Sequence, residues 1–252
     1  MTIAETRVEE LTFTFEWYEQ FLDALRARGR RFRGYRDDLS AGDVVLRHDV
    51  DWSLRSALET ARIESERGVS ATYFVLTTSP FYNLLHKPNR RILDRIEALG
   101  HDVELHFSTH QYWDAEPPER ELRERVRSER TVLSELVDGS VDVVSFHRPP
   151  EWVFRREFDG FVSAYEERFF TDIAYRADSN QRWRDESPLA GPLPDKMQVL
   201  THPGLWGVED AGFAERLRSH EERTLGRTRR FMEDQFIEKK YNIDDFCPVD
   251  AR

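Results

Sequence analysis

Two aspartates and five of the eight histidines stand where apolar runs of the sequence end, and they are the residue types that bind a divalent ion and move protons. The run from Asp43 closes on Arg47-His48-Asp49-Val50-Asp51, and the run from His101 leads into His106-Phe107-Ser108-Thr109-His110. Two more run into His147-Arg148-Pro149-Pro150 and Thr201-His202-Pro203. His106 and His110 are four apart, which places both imidazoles on one face if the chain turns helically after the strand. A carboxylate from another run completes a His₂Asp set with positions left open for water and substrate. That is the pattern of a catalytic ion site, whereas structural zinc sites close with four ligands and are rich in cysteine. Alone, the spacing is a weak signal that two surface histidines without an ion explain more readily. Asp49 and Asp51 are two apart, so on an extended strand both point the same way. Burying both is unfavourable unless a cation compensates one of them, which leaves one ligand and one free base. The alternative is a solvated turn capping the next helix; Asp51 could be such a cap, but Asp49 sits at the end of an apolar run.

The elements that must carry these residues alternate. Asp43 to Val50, Ala71 to Leu76, His101 to Phe107, Val141 to Phe146, Thr171 to Tyr175 and Met197 to Thr201 read as strands. Between them lie helical patterns: one from Leu54 with Ser53 as N-cap, one through Ile92, Leu93, Ile96 and Leu99, one over Glu119 to Val137, and one over Phe158 to Phe169. Phe213 to Tyr241 reads as one or two closing helices. Strands alternating with amphipathic helices imply a mostly parallel sheet with helices outside. In a parallel α/β barrel function gathers at the C-terminal strand ends, which is where the histidines and aspartates fall.

The 252 residues allow one large domain or two small ones, and the 12% aromatic content argues against disorder. A net charge of −11 sets aside general affinity for nucleic acid or anionic membrane. Cys247 is the single cysteine, so no internal disulfide is possible. Met1 to Glu10 lacks the basic start and apolar run of a signal peptide, and no stretch approaches the ~18 apolar residues of a membrane span. A cytoplasmic protein is expected.

In this order, the motifs resemble the polysaccharide deacetylase family (the NodB homology region, of carbohydrate esterase family 4 type), in a divergent branch whose first motif reads His48-Asp49-Val50-Asp51. The resemblance covers about 43–206. It implies a distorted (β/α) barrel of about seven parallel strands, within one domain over 1–252 closed by helices from about 211. It also implies removal of an N-acetyl group from a sugar or polysaccharide precursor. By the match Asp49 is the base, and Asp51, His106 and His110 hold the ion. Arg148 of Arg148-Pro149-Pro150 orients the base, a backbone N–H near Glu151 serves the oxyanion, and His202 of Leu200-Thr201-His202 is the acid. Asp178, with Trp183, resembles the motif that supports that acid, at longer spacing. Zinc is the first choice of ion, with Co²⁺, Ni²⁺ or Mn²⁺ also suited to His₂Asp. Phe107 stands where the family has Ser or Thr, and Glu151 where it has an aromatic.

Trp152, Trp183, Trp206 and Tyr112 follow the motifs and are candidates for stacking on sugar rings. His48 and His147 alternate in direction with Asp49 and Arg148 and read as packed, and His86, His101 and His220 as structural. Two alternatives keep the fold: a cyclic amide or ureide hydrolase, and a non-catalytic carbohydrate-binding homologue.

Overall fold

A computed structural model describes residues 11–237, so Met1 to Glu10, the last residues of the closing segment (238–241) and Cys247 lie outside the described residues. The chain divides into two units, Met1–Phe213 and Ala214–Arg252. In the first, the order is α1 (Phe15–Ala27), β1 (Arg31–Arg33), β2 (Asp43–Val50), α2 (Leu54–Glu66), β3 (Thr72–Leu76), α3 (Lys87–Ala98) and β4 (Asp102–Phe107). Then come α4 (Glu119–Ser134), β5 (Val143–Phe146), β6 (Val162–Ser163), α5 (Glu167–Phe170), β7 (Ala174–Ala177) and β8 (Met197–Thr201). α6 (Phe213–Met232) runs from the last residue of the first unit into the second and ends in a π-type turn, Glu233–Ile237.

Every strand pair is parallel, in the row β6-β5-β4-β3-β2-β8-β7, with β1 beside the start of β2. The seven strands of the row make the expected distorted (β/α) barrel, left open because its two ends, β6 and β7, do not pair. Strand alternation sorts the apolar side chains into two layers. Val44, Leu46 and Val50 of β2 join Leu54, Ala57 and Ala61 of α2 in the outer core, while Val45, Phe74 and Val143 join Tyr35, Ala164 and Phe169 inside the barrel. Each such buried side chain contributes about 1.5–3 kcal/mol, and truncating Phe74 to Ala would cost about 3–5 kcal/mol.

Helix starts follow local chemistry. The Thr14 hydroxyl accepts the Trp17 N–H at 3.1 Å and caps α1, whose Trp17, Tyr18, Phe21, Leu22 and Leu25 are buried at helical spacing. The Ser53 hydroxyl accepts the Ser56 N–H at 3.2 Å and caps α2, as expected. One expectation fails: 158–169 is not a helix. Phe158 and Phe161 meet in an isolated antiparallel bridge across a turn at Gly160, whose φ of 94° lies in the left-handed region, and the chain then pairs with β5 as β6. Only Glu167–Phe170 is helical there.

Candidate functional site

β2 is buried along its whole length although it carries Asp43, Arg47, His48 and Asp49. Burying this much charge needs compensation, and Arg47 supplies it inside the barrel. Its Nε donates to Asp49 Oδ1 at 3.0 Å and its Nη2 to Oδ2 at 2.9 Å. Nη2 also donates to the Ser145 hydroxyl (2.8 Å) and the Tyr165 hydroxyl (2.6 Å), and Nη1 to Gln198 Oε1 (3.2 Å). Ser145 in turn donates to Asp49 at 3.1 Å. Burial pushes the Asp49 carboxyl up, but Arg47, followed by His106, outweighs it and holds the group below the usual carboxylate range. Arg148, expected to orient Asp49, makes no hydrogen bond or ion pair with it; it stands exposed with a left-handed backbone, φ 47°.

Three donors gather beyond Asp49. Asp51, His106 and His147 bring one ligand atom each within 4.8 Å of one another. Asp51 Oδ1 lies 3.0 Å from His147 Nδ1 and 3.3 Å from His106 Nε2, yet this buried oxygen has no aligned hydrogen-bond donor. The Nδ1–H of His106 donates to the Ser145 carbonyl at 3.1 Å, which leaves Nε2 as the free ring nitrogen facing Asp51. Burial would raise the Asp51 carboxyl, but the His106 and His147 rings beside it hold it well below the usual range. Two imidazoles and one carboxylate with an orphaned oxygen between them fit a divalent ion of the zinc type and leave coordination positions for water and substrate. Capping does not explain Asp51, because Ser53 caps α2.

His147 therefore stands where His110 was expected. Four-residue spacing shares a face only in an α-helical turn, and here Ser108 is still extended before a short 3₁₀ turn over Thr109–Gln111. His110 ends exposed, its Nε2 3.0 Å from the Arg148 carbonyl oxygen. His147 follows Ser145 by two, so the same alternation that puts Ser145 beside Asp49 turns His147 inward. That parity was the available signal, as was Arg47 two before Asp49.

No family model and no curated protein matches the chain. Among solved structures it is similar to a family 4 carbohydrate esterase from Bacillus anthracis, at 18% identity and a TM-score of 0.46 over 82% of this chain and 86% of that one. It is similar also to the chitin deacetylase of the fungal pathogen Colletotrichum lindemuthianum, at 14% identity and TM-score 0.44 over 74% and 85% of the two chains. A third is a CE4 family pseudoenzyme from Bacillus anthracis, at 15% identity and TM-score 0.42 over 73% and 60%. Likeness of this degree leaves function to the site's own geometry.

A second charged pair lies across the cleft. Asp178, fully buried after β7, accepts the His202 Nδ1–H at 2.6 Å, the His202 backbone N–H at 3.0 Å and the Trp206 indole N–H at 2.9 Å. Burial pushes the His202 ring down, but the Asp178 carboxylate outweighs it and raises the ring to about 9. His202, Asp49, Asp51, His106 and His147 all line one cleft of about 660 Å³ at the C-terminal ends of the strands.

The expected stacking residues do not line that cleft. Trp183 and Trp206 are buried and pack on Trp17, Trp206 giving its N–H to Asp178. Tyr112 stacks on Phe107 with its hydroxyl on Glu129, Trp152 packs edge-on to Phe146, and the Glu151 side chain is exposed. The aromatic residues that line the cleft instead include Trp52, Phe154, Phe170 and Tyr175, with Trp52 lying directly over Gly204. On the other side of the sheet, His48 contacts Thr201 and Glu64, each at 2.6 Å, and His101 is held by the Ala61 carbonyl at 2.8 Å. No described helix is long and apolar enough to cross a membrane.

Proposed function

We propose that the chain is a metal-dependent hydrolase that removes the N-acetyl group from a sugar or polysaccharide precursor. The observation that carries this reading is the convergence, in one cleft, of the open Asp51/His106/His147 set and a carboxylate, Asp49, kept ionised by Arg47. Bound there, a divalent ion supplies Lewis acidity to an amide carbonyl and lowers the pKa of water. Asp49, with no second role as ligand in the set, accepts a proton from the attacking water. His202, kept cationic by Asp178, gives a proton to the departing amine, which needs one because an amide anion leaves very poorly. Arg47 thus takes the orienting role that the motifs give to Arg148.

The test is acetate release from N-acetylated sugars, neutral oligomers and anionic derivatives alike, by zinc-loaded protein beside its Asp49→Asn variant. Release that falls about 10²–10⁴-fold in the variant, with metal content unchanged, supports the reading. Equal release from both proteins, or none from the unaltered one, contradicts it.

A further inference from the structure

The charge lining the cleft runs against the charge of the chain. Net charge is −11, with 48 acidic residues against 37 basic ones. Yet among the described residues the only carboxylates lining the cleft are Asp49, taken up by Arg47, and Asp51, within the proposed ion-binding set. Above them the wall carries two arginines, Arg148 and Arg182. Both side chains are exposed, and neither guanidinium has a hydrogen-bond or ion-pair partner among the described residues. Some surface arginines of this chain are engaged: Arg31 with Asp43, Arg36 with Glu104, Arg156 with Glu116 and Glu119, and Arg184 with Asp210. Others outside the cleft, Arg55 and Arg155 among them, are exposed like these two, so it is the place of Arg148 and Arg182 in the cleft wall that sets them apart. The two in the cleft are held out by unusual backbone. Arg148 has φ 47°, with its carbonyl pinned by His110 Nε2 at 3.0 Å. Arg182 follows Asn180 and Gln181, at φ 56° and 59°, and Gln181 anchors that turn through Nε2 on the Ala211 carbonyl at 2.9 Å. Left-handed backbone at three non-glycine residues costs about 1 kcal/mol or more each, and none of that cost is returned by a contact of the arginine side chains.

A concave surface carrying unpaired charge of one sign concentrates counter-charge from solution, and guanidinium groups suit planar oxyanions through paired N–H donors. We infer that Arg148 and Arg182 form an anion subsite of the cleft, and that the acylated amino sugar this site takes carries a carboxylate or phosphate group beside its amide. The inference rests on the reading of the cleft as a sugar-amide site. The aromatic wall of Trp52, Phe154, Phe170 and Tyr175 would cover the ring, and the arginines would hold the charged substituent.

Calorimetric binding to zinc-loaded protein tests this with three probes: N-acetylglucosamine, N-acetylglucosamine 1-phosphate and N-acetylmuramic acid. At least one anionic sugar is expected to bind about tenfold tighter than the neutral one, since a hydrogen bond to a charged group is worth about 1.5–3 kcal/mol. Which anion wins separates phosphate from carboxylate. The preference should shrink toward parity in Arg182→Ala and in Arg148→Ala, and recover in part in Arg182→Lys. Anionic sugars that bind no tighter than the neutral one, or a preference that survives both alanine variants, overturns the subsite. Acetate release without anionic preference sinks the subsite alone; anionic preference without acetate release keeps it and sinks the hydrolase reading.

Discussion

The Arg47 guanidinium and the Asp49 carboxylate, two residues apart on one strand, meet through paired bonds of 3.0 and 2.9 Å with both side chains buried. Removing one member of a buried pair strands the other charge, at a cost of about 3–5 kcal/mol, whereas replacing both with apolar residues costs far less. Arg47→Met should therefore lower unfolding free energy by about 3–5 kcal/mol in urea titration. Arg47→Met/Asp49→Leu should be more stable than that single variant, and Arg47→Met should also lose acetate release. Equal stability of the single variant and the unaltered protein would show that the pair carries no such strain.

The Asp178–His202 contact predicts a pH limb. His202, the proposed acid, is raised to about 9, so activity should hold up to that region and fall as pH rises through it. In Asp178→Asn the ring loses its main support and the limb should move down toward the ordinary imidazole value of about 6.5. Stability runs in the same sense. A ring whose folded pKa is raised contributes fully below the unfolded value and loses that contribution as pH rises through the folded one. A pH–rate profile identical in both proteins would remove His202 from the acid's role.

Gly204 is where the cleft wall allows no side chain. A Cβ there would sit 2.2 Å from two atoms of the Trp52 indole. Gly204→Ala should displace Trp52, directly after Asp51 of the proposed ion set, and cost about 1–3 kcal/mol. Tryptophan emission would shift and metal affinity fall. Unchanged emission and melting temperature would place Trp52 elsewhere.

Behind β2, Glu64 is fully buried and accepts from the Tyr18 and Tyr73 hydroxyls, with His48 Nε2 at 2.6 Å. Burial pushes the Glu64 carboxyl up, but His48 outweighs it and holds the group below its ordinary value of 4.5. A lowered folded pKa contributes stability above the unfolded value that is lost as pH falls through the folded one. Glu64→Gln should cost about 1–3 kcal/mol at neutral pH and flatten the acid side of the stability curve below about pH 4.5. An acid limb as steep as in the unaltered protein would contradict this.

How far the chain could be read in advance depended on whether a signal was local. Val44, Leu46, Phe74 and Val144 sit in apolar runs, so their strands and a parallel sheet were legible, while the barrel form followed from the resemblance of the motifs. β6 was not: two residues are too few to show a period, and Phe158 and Phe161 mimic helical spacing while stacking across a turn. At the site, the placing of Asp49, Asp51 and His106 at strand ends was legible from the ends of the runs. The exchange of His110 for His147 was not, because it depends on how the chain leaves β4. The role of Arg47 has no motif of its own: its partner lies two residues away on the same strand, whereas the R-x-P pattern points to Arg148. Trp183 and Trp206 show the limit of composition: the same aromatic type serves a core or a cleft, and only packing separates them.

The most direct test of the ion site is metal content by mass spectrometry in the zinc-loaded, dialysed protein, beside His147→Ala and His110→Ala. An ion set by Asp51, His106 and His147 predicts about one metal per chain, lost in His147→Ala and kept in His110→Ala. Metal retained in His147→Ala, or lost in His110→Ala alone, would contradict it.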